Sequence, residues 1–411
     1  MDDTLVMILA GGAGTRLRPL TRDRAKPAVP FGGRYRLVDI VLSNFVNSGF
    51  YQIKVLTQYK SDSLNNHITR GWRLSDHLGH YIDVVPAQQR VGPRWYQGSA
   101  DAIYQNLNLL HDESPRDVCV FGADHIYKMD VRQMVERHRA TDADLTVSAV
   151  PVPLEHGEGF GVFDVREDGR IEGFTEKPDD PTPMPGDPDR CLASMGNYVF
   201  ESETLADEVQ RDSRDEDSSH DFGRDIVTRM VRRSEFDVYL YDFSTNEVPG
   251  QPESEQGYWR DVGTLDSYWA ASMDLVSIHP HFDLYNEDWP IRTYHQHRPP
   301  AKFVHDDPVD ERVGKAINSL VGEGCVVSGG TIHDSILSRD VRVNSYVEIE
   351  ESVIFDGCDI GRRSKIRRAI IDKNIDIPPD TEIGYDLDKD RERFTVSDNG
   401  VVVVPKGEEI R

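Results

Sequence analysis

LVMILAGGAGTRLRPLTRDRAKP occupies residues 5–27 of this 411-residue chain. Its first five residues are all apolar, and a run of this length is typical of a buried strand in a parallel sheet. The glycines of the GGAG segment carry no side chain, so their backbone N–H groups can approach a phosphate closely. Arg16 and Lys26 then supply positive charge. The stretch therefore predicts a strand that leads into a nucleotide-phosphate loop.

Two common phosphate-binding motifs do not fit this loop. The Walker motif ends in Lys-Ser or Lys-Thr, which the stretch lacks. The dinucleotide fingerprint requires a glycine where the chain has Leu17. From these residues alone, a glycine-rich turn with incidental basic neighbours is an equal alternative.

The length of the chain predicts two domains, because one hydrophobic core rarely serves 411 residues. No apolar run approaches the roughly 20 residues of a membrane helix, and the first residues show no signal-peptide pattern. We therefore expect a soluble cytoplasmic protein. The cysteines form no Cys-x-x-Cys pair, which argues against a zinc site and a disulfide framework. They are Cys119, Cys191, Cys325 and Cys358.

The formal net charge of −25 argues against nucleic acid and anionic membranes as partners, since both bind basic surfaces. Only 11 of the 47 basic residues are lysines. An acidic surface poor in lysine fits a cytoplasm of high salt concentration, with ordinary compositional drift as the equal alternative. Under the salt hypothesis, KCl should screen the self-repulsion and stabilise the fold.

Strand and helix patterns alternate from residue 1 to about 275, which predicts a parallel sheet with ligands at the carboxyl ends of its strands. The predicted strands are Leu5–Leu9, Ile53–Thr57, Val118–Phe121 and Leu145–Val150. The predicted helices are Val38–Asn47, Ala100–Leu110 and one that begins near Phe222. Residues 178–189 and 211–220 read as polar loops, and residues 278–300 as the connection between domains.

A different periodicity begins near Val321. Aliphatic residues recur every six positions, for example at Val341, Val347 and Val353, with small and polar residues between them. This repeat is typical of a parallel β-helix, in which each short strand buries one aliphatic side chain against the next coil. An antiparallel sheet is the alternative, and it explains the six-residue spacing less well.

Two aspartates and a lysine stand at predicted strand ends or turns. Asp124 follows the strand VCVF and Asp261 lies in YWRDVGT. Two carboxylates brought together at a nucleotide site can hold Mg²⁺, which takes hard oxygen ligands. Lys177 precedes Pro178 in a charged turn and is a candidate phosphate contact. Taken singly, each of these residues also fits a cap, a turn or a solvated surface.

Gln88 and Trp95 mark two loops, PAQQR and WYQGSADA, that combine amides, aromatics and glycine. A glutamine amide pairs one donor with one acceptor and can read a purine edge. A polar surface loop is the simpler explanation of this composition. Clustered arginines in so acidic a chain meet either an anion or the surplus carboxylates. They are Arg24, Arg34, Arg36, Arg362, Arg363, Arg367 and Arg368.

Longer motifs give the chain a resemblance to one family over nearly its whole length. They are GGAGTRLRPLT, AKPAVPFGG, HITRGW, PAQQR, WYQGSADA, ADHIYKMD, FTEKP, LASMGNYVF, SSHDFGRDI, YWRDVGT and YNEDWPIRTY. Together they resemble the bacterial ADP-glucose pyrophosphorylases (glucose-1-phosphate adenylyltransferases), a branch of the sugar-1-phosphate nucleotidyltransferases. Several of these motifs are long and rare, so chance agreement is negligible.

The resemblance implies an α/β fold in two domains. A Rossmann-like nucleotidyltransferase domain with a mixed, mostly parallel sheet would span residues 1–275, a linker 276–300 and a C-terminal left-handed parallel β-helix 301–411. The family is usually a homotetramer under allosteric control by anionic effectors. The implied reaction converts ATP and α-D-glucose 1-phosphate to ADP-glucose and pyrophosphate, with Mg²⁺ as cofactor, for glycogen synthesis. No protein nucleophile is needed, since the sugar phosphate attacks the α-phosphorus of ATP in line.

The resemblance also assigns roles to individual residues. The implied catalytic residues are Arg16, Lys26, Asp124 and Asp261, of which the two aspartates bind the metal. The implied ATP-binding residues are Gly11, Gly12, Gly14, Thr15, Gln58, Gln88, Trp95, Tyr96 and Gly98. Those implied for glucose 1-phosphate are Tyr96, Gly161, Glu176, Lys177 and Ser194. An effector site is implied at Arg24, Arg36, Arg367 and Arg368.

Three positions depart from the family pattern. Ala123 stands where glycine is common before the metal aspartate, and Gln97 replaces a common arginine. Asp23 stands where enteric members carry a lysine for a sugar-bisphosphate activator, so an anionic activator bound in that way is not expected. The competing interpretations are transfer of another nucleotide or to another sugar, a catalytically silent regulatory subunit, and an acyltransferase β-helix, for which His333 alone is a weak signal.

Overall fold

The computed structural model describes residues 3–307, 309–310 and 312–410. Its helices are α1 (Leu37–Asn47), α2 (Asp62–Gly71), α3 (Ser99–Tyr104), α4 (Leu107–Glu113), α5 (Val131–Ala140), α6 (Ser202–Asp212), α7 (Thr228–Arg232), α8 (Leu265–Asp274) and α9 (Leu387–Arg393). A π-helical segment, Phe222–Val227, leads into α7.

The strands fall into two groups. Those before residue 300 are β1 (Thr4–Ala10), β2 (Pro30–Phe31), β3 (Tyr35–Arg36), β4 (Gln52–Thr57), β5 (Tyr81–Pro86), β6 (Asp117–Gly122), β7 (His125–Tyr127), β8 (Leu145–Pro153), β9 (Gly161–Val165), β10 (Ile171–Glu176), β11 (Arg190–Glu201), β12 (Val238–Asp242) and β13 (Trp259–Asp261). Those after it are β14 (Lys302–Val304), β15 (Asp306–Asp307), β16 (Arg312–Val313), β17 (Lys315–Ile317), β18 (Leu320–Val321), β19 (Val326–Ser328), β20 (Thr331–His333), β21 (Ile336–Leu337), β22 (Arg342–Val343), β23 (Glu348–Glu350), β24 (Val353–Ile354), β25 (Asp359–Ile360), β26 (Lys365–Arg367), β27 (Ala369–Ile371), β28 (Asp376–Ile377), β29 (Glu382–Ile383), β30 (Thr395–Val396) and β31 (Val402–Val404).

A nine-stranded mixed sheet forms the N-terminal part of the molecule. At its centre, β1 pairs in parallel with β4 and with β6, and β4 pairs in parallel with β5. The long strand β11 joins this centre to the remaining strands, because it pairs antiparallel with β6, β8 and β9. β12 adds to β8 in parallel, and β10 adds to β9 antiparallel. The predicted mixed, mostly parallel sheet is confirmed in the core of this part.

Two hydrophobic clusters cover the two faces of this sheet. Val6 and Ile8 of β1 belong to the cluster formed with α1, α2 and α5. Leu5 and Met7 belong to the cluster on the opposite face, formed with α3, α4 and α6. All four side chains are fully buried. Burial on both faces explains why β1 reads as a continuous apolar run rather than as an alternating pattern.

The helix predicted at Ala100–Leu110 is wrong as one continuous element, because α3 and α4 are separated at Gln105 and Asn106. The Asn106 side-chain amide donates to the Ala102 carbonyl oxygen at 2.8 Å. Asparagine side chains compete in this way with the backbone for hydrogen bonds, which interrupts helices. The other predicted strands and helices are present, and residues 278–300 contain no helix or strand.

The C-terminal strands form a three-sided parallel β-helix. Its sides are three sheets whose strands follow one another in rotation along the chain: β14-β19-β22-β25-β28, β17-β20-β23-β26-β29 and β18-β21-β24-β27-β31. Ile349 pairs with Ile332 and with Ile366, and Ile366 pairs with Ile383, a repeat of 17 residues. These side chains are fully buried, so the axis of the β-helix is an aliphatic column. The first strand precedes Val321, where the six-residue pattern becomes visible in the sequence.

A third hydrophobic cluster joins the two parts of the molecule. It contains Ile336, Val353 and Ile370 from one side of the β-helix and Leu37 and Ile40 from α1. A buried ion pair lies beside it, with Arg24 Nη2 2.7 Å from Asp372 Oδ1. One side of the β-helix thus shares a hydrophobic core with α1 of the N-terminal part.

Within the described residues, no helix combines the length and the apolar character that crossing a bilayer requires.

Candidate active site

Three adjoining cavities open at the carboxyl ends of β1 and β6, with volumes of about 390, 250 and 570 Å³. We call them the first, second and third cavity in that order. Leu9, at the end of β1, lines all three. Arg16 lies between the first and second, and Asp124 between the second and third. The cavities therefore form one cleft, at the edge where α/β sheets bind their ligands.

Gly12 and Gly14 of the GGAG segment line the second cavity. Gly14 has a φ of 59°, in the left-handed region that favours glycine. A Cβ at this position would also lie 3.0 Å from Cβ of Lys26. The Thr21 hydroxyl donates to the Gly14 carbonyl oxygen at 2.8 Å and holds the turn. The loop thus bends sharply and presents Thr15 and its neighbours to the cavity.

Lys26 brings the two predicted metal aspartates together. Its Nζ atom lies 2.8 Å from Oδ2 of Asp124 and 3.1 Å from Oδ1 of Asp261. The Lys26 side chain is buried, while 30% of the Asp124 side chain and 26% of the Asp261 side chain stay exposed to the cleft. A shared metal site needs the carboxylates of Asp124 and Asp261 to lie together, and in the structure both contact the Lys26 ammonium.

The pKa values of this group follow from its charges. Burial by itself lowers the pKa of a lysine, but the carboxylates of Asp124 and Asp261 outweigh burial and raise the pKa of Lys26. For Asp124, burial by itself raises the pKa, and Lys26 with His125 outweighs it, so the pKa of Asp124 is lowered. Both groups therefore carry their charges at neutral pH.

A two-stranded ribbon carries the two aspartates. β7 and β13 pair antiparallel with Asp261 opposite His125, and Asp124 immediately precedes β7. The ring of His125 packs edge-on against Trp259 at a centroid distance of 5.2 Å. The two carboxylates reach the cleft from the same end of this ribbon.

The donor set of this pair fits Mg²⁺. Mg²⁺ is usually held by one or two protein carboxylates together with substrate phosphates and water. The described residues contain no group of three or more His, Cys, Asp and Glu side chains that could hold a metal alone. Asp124 and Asp261 already converge on one positive charge, so they are the residues that would hold the ion.

Gln58 and Tyr96 shape the third cavity. The Gln58 side-chain amide accepts from the Tyr96 backbone N–H at 2.6 Å and donates to the Tyr96 carbonyl oxygen at 3.3 Å. Both polar atoms of the Gln58 amide therefore bond to the Tyr96 backbone and hold that loop in place. Gly98 packs against the backbone carbonyl of His220, where a Cβ would collide with the carbonyl oxygen. Glycine is required there by this close approach.

Four of the residues implied for glucose 1-phosphate line the first cavity together: Gly161, Glu176, Lys177 and Ser194. They come from β9, β10, the turn after β10 and β11, so the antiparallel strands of the sheet supply this wall. Burial and the nearby carboxylate of Asp221 raise the pKa of Glu176, while Lys177 opposes the shift. This wall thus offers a hydroxyl, a carboxyl group and an ammonium to one ligand.

Two predicted ATP-site residues lie outside the cleft. The Trp95 side chain is 58% exposed and Gln88 is exposed, and neither residue lines any of the three cavities. The Gln88 side-chain oxygen accepts a hydrogen bond from Arg90 Nε at 3.1 Å. The assignment of both residues to ATP stays a prediction.

Ser99 and Asp221 were not identified from the sequence, although both line the first and third cavities. The Ser99 hydroxyl donates to Asp221 Oδ2 at 3.2 Å. Asp221 also caps the segment Phe222–Val227 by accepting from the Arg224 N–H, so a cap was the natural interpretation of this aspartate. Its position in the long motif SSHDFGRDI was the available signal.

The predicted effector arginines have different neighbours in the structure. Burial lowers the pKa of Arg36 to about 10, with Arg24 and Arg339 acting in the same direction and Asp39 opposing them. Burial also lowers the pKa of Lys373, with Arg36 and Arg24 acting in the same direction and Asp356 opposing them. Arg367 instead lies 5.2 Å from the ring centre of Tyr385, and Arg368 lies 4.4 Å from that of Trp269. The cationic group at the junction of the two parts is therefore built from Arg24, Arg36, Arg339 and Lys373. Three of its members already pair with carboxylates, Arg24 with Asp372 and both Arg339 and Lys373 with Asp356.

Two family models match this chain. The model described as Nucleotidyl transferase matches residues 5–277, and the one described as GlmU-like, C-terminal hexapeptide matches residues 299–404. The second match confirms that the C-terminal β-helix is of the left-handed hexapeptide type.

Curated relatives named glucose-1-phosphate adenylyltransferase are similar to the whole chain. The protein from Anaeromyxobacter sp. (strain Fw109-5) is 58% identical over 407 residues, which cover 99% of this chain and 98% of that protein. The protein from Thermus thermophilus is 57% identical over 411 residues, with 98% of each chain covered. The protein from Aliivibrio fischeri is 50% identical over 410 residues, with 100% of each chain covered.

Proposed function

Since this chain belongs to the glucose-1-phosphate adenylyltransferases, a family of nucleotidyltransferases, we propose that it transfers the adenylyl group of ATP to α-D-glucose 1-phosphate. The products are ADP-glucose and pyrophosphate. The observation that supports this assignment best is the position of Lys26, whose Nζ atom lies between Asp124 and Asp261 at the wall of the second cavity. A phosphate chain bound in that cavity lies beside the Lys26 ammonium and beside the carboxylate pair proposed to bind the metal.

We place the two substrates in different cavities. The third cavity, with Tyr96, Gly98 and the backbone of Gly11 and Gly12, receives the adenosine of ATP. The second cavity, which Gly14 and Thr15 line, receives the phosphates of ATP. The first cavity receives glucose 1-phosphate against the wall formed by Gly161, Glu176, Lys177 and Ser194. Tyr96 lines only the third cavity, so in this placement it contacts the nucleotide.

In this arrangement the reaction is a direct displacement. An oxygen of the sugar phosphate forms a bond to the α-phosphorus of ATP, and the bond from that phosphorus to the oxygen bridging to the β-phosphate breaks. The electron pair leaves with pyrophosphate. Arg16 lies between the first and second cavities and Lys26 in the second, so both neutralise charge that develops on the phosphates. Lys177 binds the phosphate of the attacking sugar.

Asp124 and Asp261 are proposed to hold Mg²⁺, which when bound supplies positive charge to the phosphate oxygens. Their carboxylates point at one cation, and the lowered pKa of Asp124 keeps that carboxylate ionised for metal binding. Lys26 fixes their orientation, because its largely buried ammonium lies 2.8 Å from one carboxylate and 3.1 Å from the other.

We also propose roles for the parts of the chain and a biological setting for the protein. Residues 1–275 are the catalytic domain, 276–300 the linker and 301–411 the domain for regulation and assembly. The protein acts in glycogen synthesis in the cytoplasm, as a homotetramer that responds to anionic effectors. The cationic group around Arg24 and Arg36 lies where the two parts meet, which supports an anion site between them.

The test is release of pyrophosphate from glucose 1-phosphate with ATP, UTP, dTTP or GTP in the presence of Mg²⁺. We expect activity with ATP alone. Asp124→Ala should lower kcat/KM about 100-fold or more, since it removes one group that organises the phosphate site. Asp83→Ala is the matched control, because Asp83 is a half-exposed carboxylate paired with Lys54 outside the cleft, and it should keep activity.

The other outcomes separate the competing interpretations. Activity with UTP or dTTP instead of ATP would retain the reaction and overturn the adenine specificity. Absence of activity with every nucleotide, with and without phosphorylated sugars as effectors, would favour a catalytically silent regulatory subunit.

A further inference from the structure

Lys128 and Glu255 form a buried ion pair that the reaction itself does not use. Lys128 Nζ lies 2.9 Å from Oε1 and 3.2 Å from Oε2 of Glu255. Their side chains are 0% and 1% exposed, and neither residue lines the three cavities. The ammonium also lies 5.4 Å from the ring centre of Phe282. Two charges removed from water in this way demand close and well-directed contacts.

The pair closes the far end of the ribbon formed by β7 and β13. Lys128 directly follows β7, and Glu255 precedes β13 by one turn, in which the Tyr258 N–H donates to the Glu255 carbonyl oxygen at 3.0 Å. Trp259 pairs with Tyr127 at this end, and Asp261 pairs with His125 at the other. The ion pair and the two cleft aspartates therefore lie at opposite ends of one short ladder.

The two strands of the ribbon are held by different parts of the molecule. β7 is fixed to α1, because the Asn44 side-chain amide donates to the Tyr127 carbonyl oxygen at 3.0 Å and accepts from the Met129 N–H at 3.2 Å. The Glu255 carboxylate also accepts from the Asp283 N–H at 3.0 Å. Each strand has three residues, too few for a two-stranded ribbon to be stable alone. The docking of β13 onto β7 thus depends on contacts beyond the ladder.

We propose that Lys128 and Glu255 are positioning residues that set the spacing between the carboxylates of Asp124 and Asp261. If β13 paired with β7 in another register, the two buried charges would be separated, at a large cost in free energy. The ion pair therefore favours the observed register. The ammonium belongs to the residue that follows the strand fixed by Asn44, and the carboxylate belongs to the turn that leads into the strand carrying Asp261. This inference rests on the proposed metal role of the two aspartates.

The experiment measures binding of Mn²⁺ alone by electron paramagnetic resonance of the free ion, with Asp124→Ala defining the sites that do not belong to the cleft. Lys128→Met and Glu255→Gln are compared with the double variant Lys128→Met/Glu255→Met. Apolar replacement of a whole buried pair often restores stability, whereas removal of one partner does not. Lys54→Met is the matched control, since Lys54 is another buried lysine between two carboxylates, 2.9 Å from Asp83 and 3.1 Å from Glu113, outside the ribbon.

We expect the three ribbon variants to weaken the Asp124-dependent Mn²⁺ site about tenfold, as loss of a supporting partner commonly does. The concentration of Mg²⁺ for half-maximal activity should rise by the same factor. The double variant should recover its melting temperature without recovering Mn²⁺ affinity, which separates positioning from stability. Lys54→Met should leave the affinity unchanged.

Two results would overturn the inference. In one, the double variant regains both stability and Mn²⁺ affinity; in the other, the ribbon variants bind Mn²⁺ like Lys54→Met. Absence of any Asp124-dependent Mn²⁺ site in the native protein would instead overturn the proposed metal pair, and the inference with it.

Discussion

Lys26 and its two aspartates retain one negative charge between them, since two carboxylates share one ammonium. The raised pKa of Lys26 keeps the ammonium charged throughout the neutral range. This balance leaves the cleft attractive to a cation while it offers positive charge to a phosphate. In a molecule of net charge −25, an anionic substrate must therefore also be bound by the cleft cations outside this cluster, Arg16 and Lys177.

His138 is a second residue whose charge state is set by its surroundings. It lies in the last turn of α5, where its Nδ1 atom is 2.9 Å from the Thr146 hydroxyl. Only 1% of its side chain is exposed. Burial lowers the pKa of His138 to about 4, Asp117 opposes the shift, and Arg116 and Arg139 add to it. The native protein therefore holds this imidazole neutral.

The stability of the protein should fall as acid approaches the pKa of His138. Below about pH 6.5 the unfolded state binds a proton at His138, and the native state binds it only near pH 4, so unfolding is favoured between these values. We expect the native protein to lose about 2 kcal/mol more than His138→Gln between pH 7 and pH 5. Urea denaturation of both proteins at the two pH values measures this. Identical pH dependence in the two proteins would show that His138 is not the group responsible.

The residues of the cleft were predictable to different degrees. Lys26, Asp124 and Asp261 lie in long motifs that assign them to one site, and in the structure their side chains contact one another. Ser99 and Asp221 escaped because a serine before a helix and an aspartate at a helix cap have ordinary local explanations. Their meeting across the cleft depends on how α3 and residues 213–221 pack, which no local pattern expresses.

At the scale of elements, regular periodicity was a good guide and interruptions were not. β1 and β6 were predicted because strands buried on both faces read as apolar runs. The division between α3 and α4 was missed because the spacing of apolar residues continues across it, while Asn106 bonds to Ala102. The antiparallel course of β11 also has no local signal, since it depends on the path of the chain after the loop at 178–189.

The aliphatic column of the β-helix should dominate the stability of that region. Ile349 is fully buried between Ile332 and Ile366. Ile349→Ala removes buried methyl groups and leaves a cavity, for which we expect a loss of about 2–5 kcal/mol. Glu350→Ala, at the exposed neighbouring position, should change stability by less than about 0.5 kcal/mol. Urea midpoints followed by circular dichroism give both values, and equal midpoints would contradict a buried column.

At the scale of the whole molecule, net charge is the dominant feature. The excess of 72 acidic over 47 basic residues creates self-repulsion that salt screens. We expect the melting temperature to rise with KCl from low to molar concentration. Sucrose at matched osmolality is the control, because it stabilises by exclusion from the surface without screening charge. A melting temperature independent of KCl would leave compositional drift as the explanation of the acidic surface.

The corners of the β-helix, rather than its strands, can absorb changes in chain length during evolution. Leu320 stacks on Ile336 after 16 residues, Ile336 on Val353 after 17, and Ala369 on Val402 after 33, with α9 in the longest connection. An insertion within a strand would instead turn aliphatic side chains outward. The side with Ile336, Val353 and Ile370 is already committed to the N-terminal part. Changes in length therefore disturb the molecule least at the corners away from that side, and descendants of this protein should differ in length there.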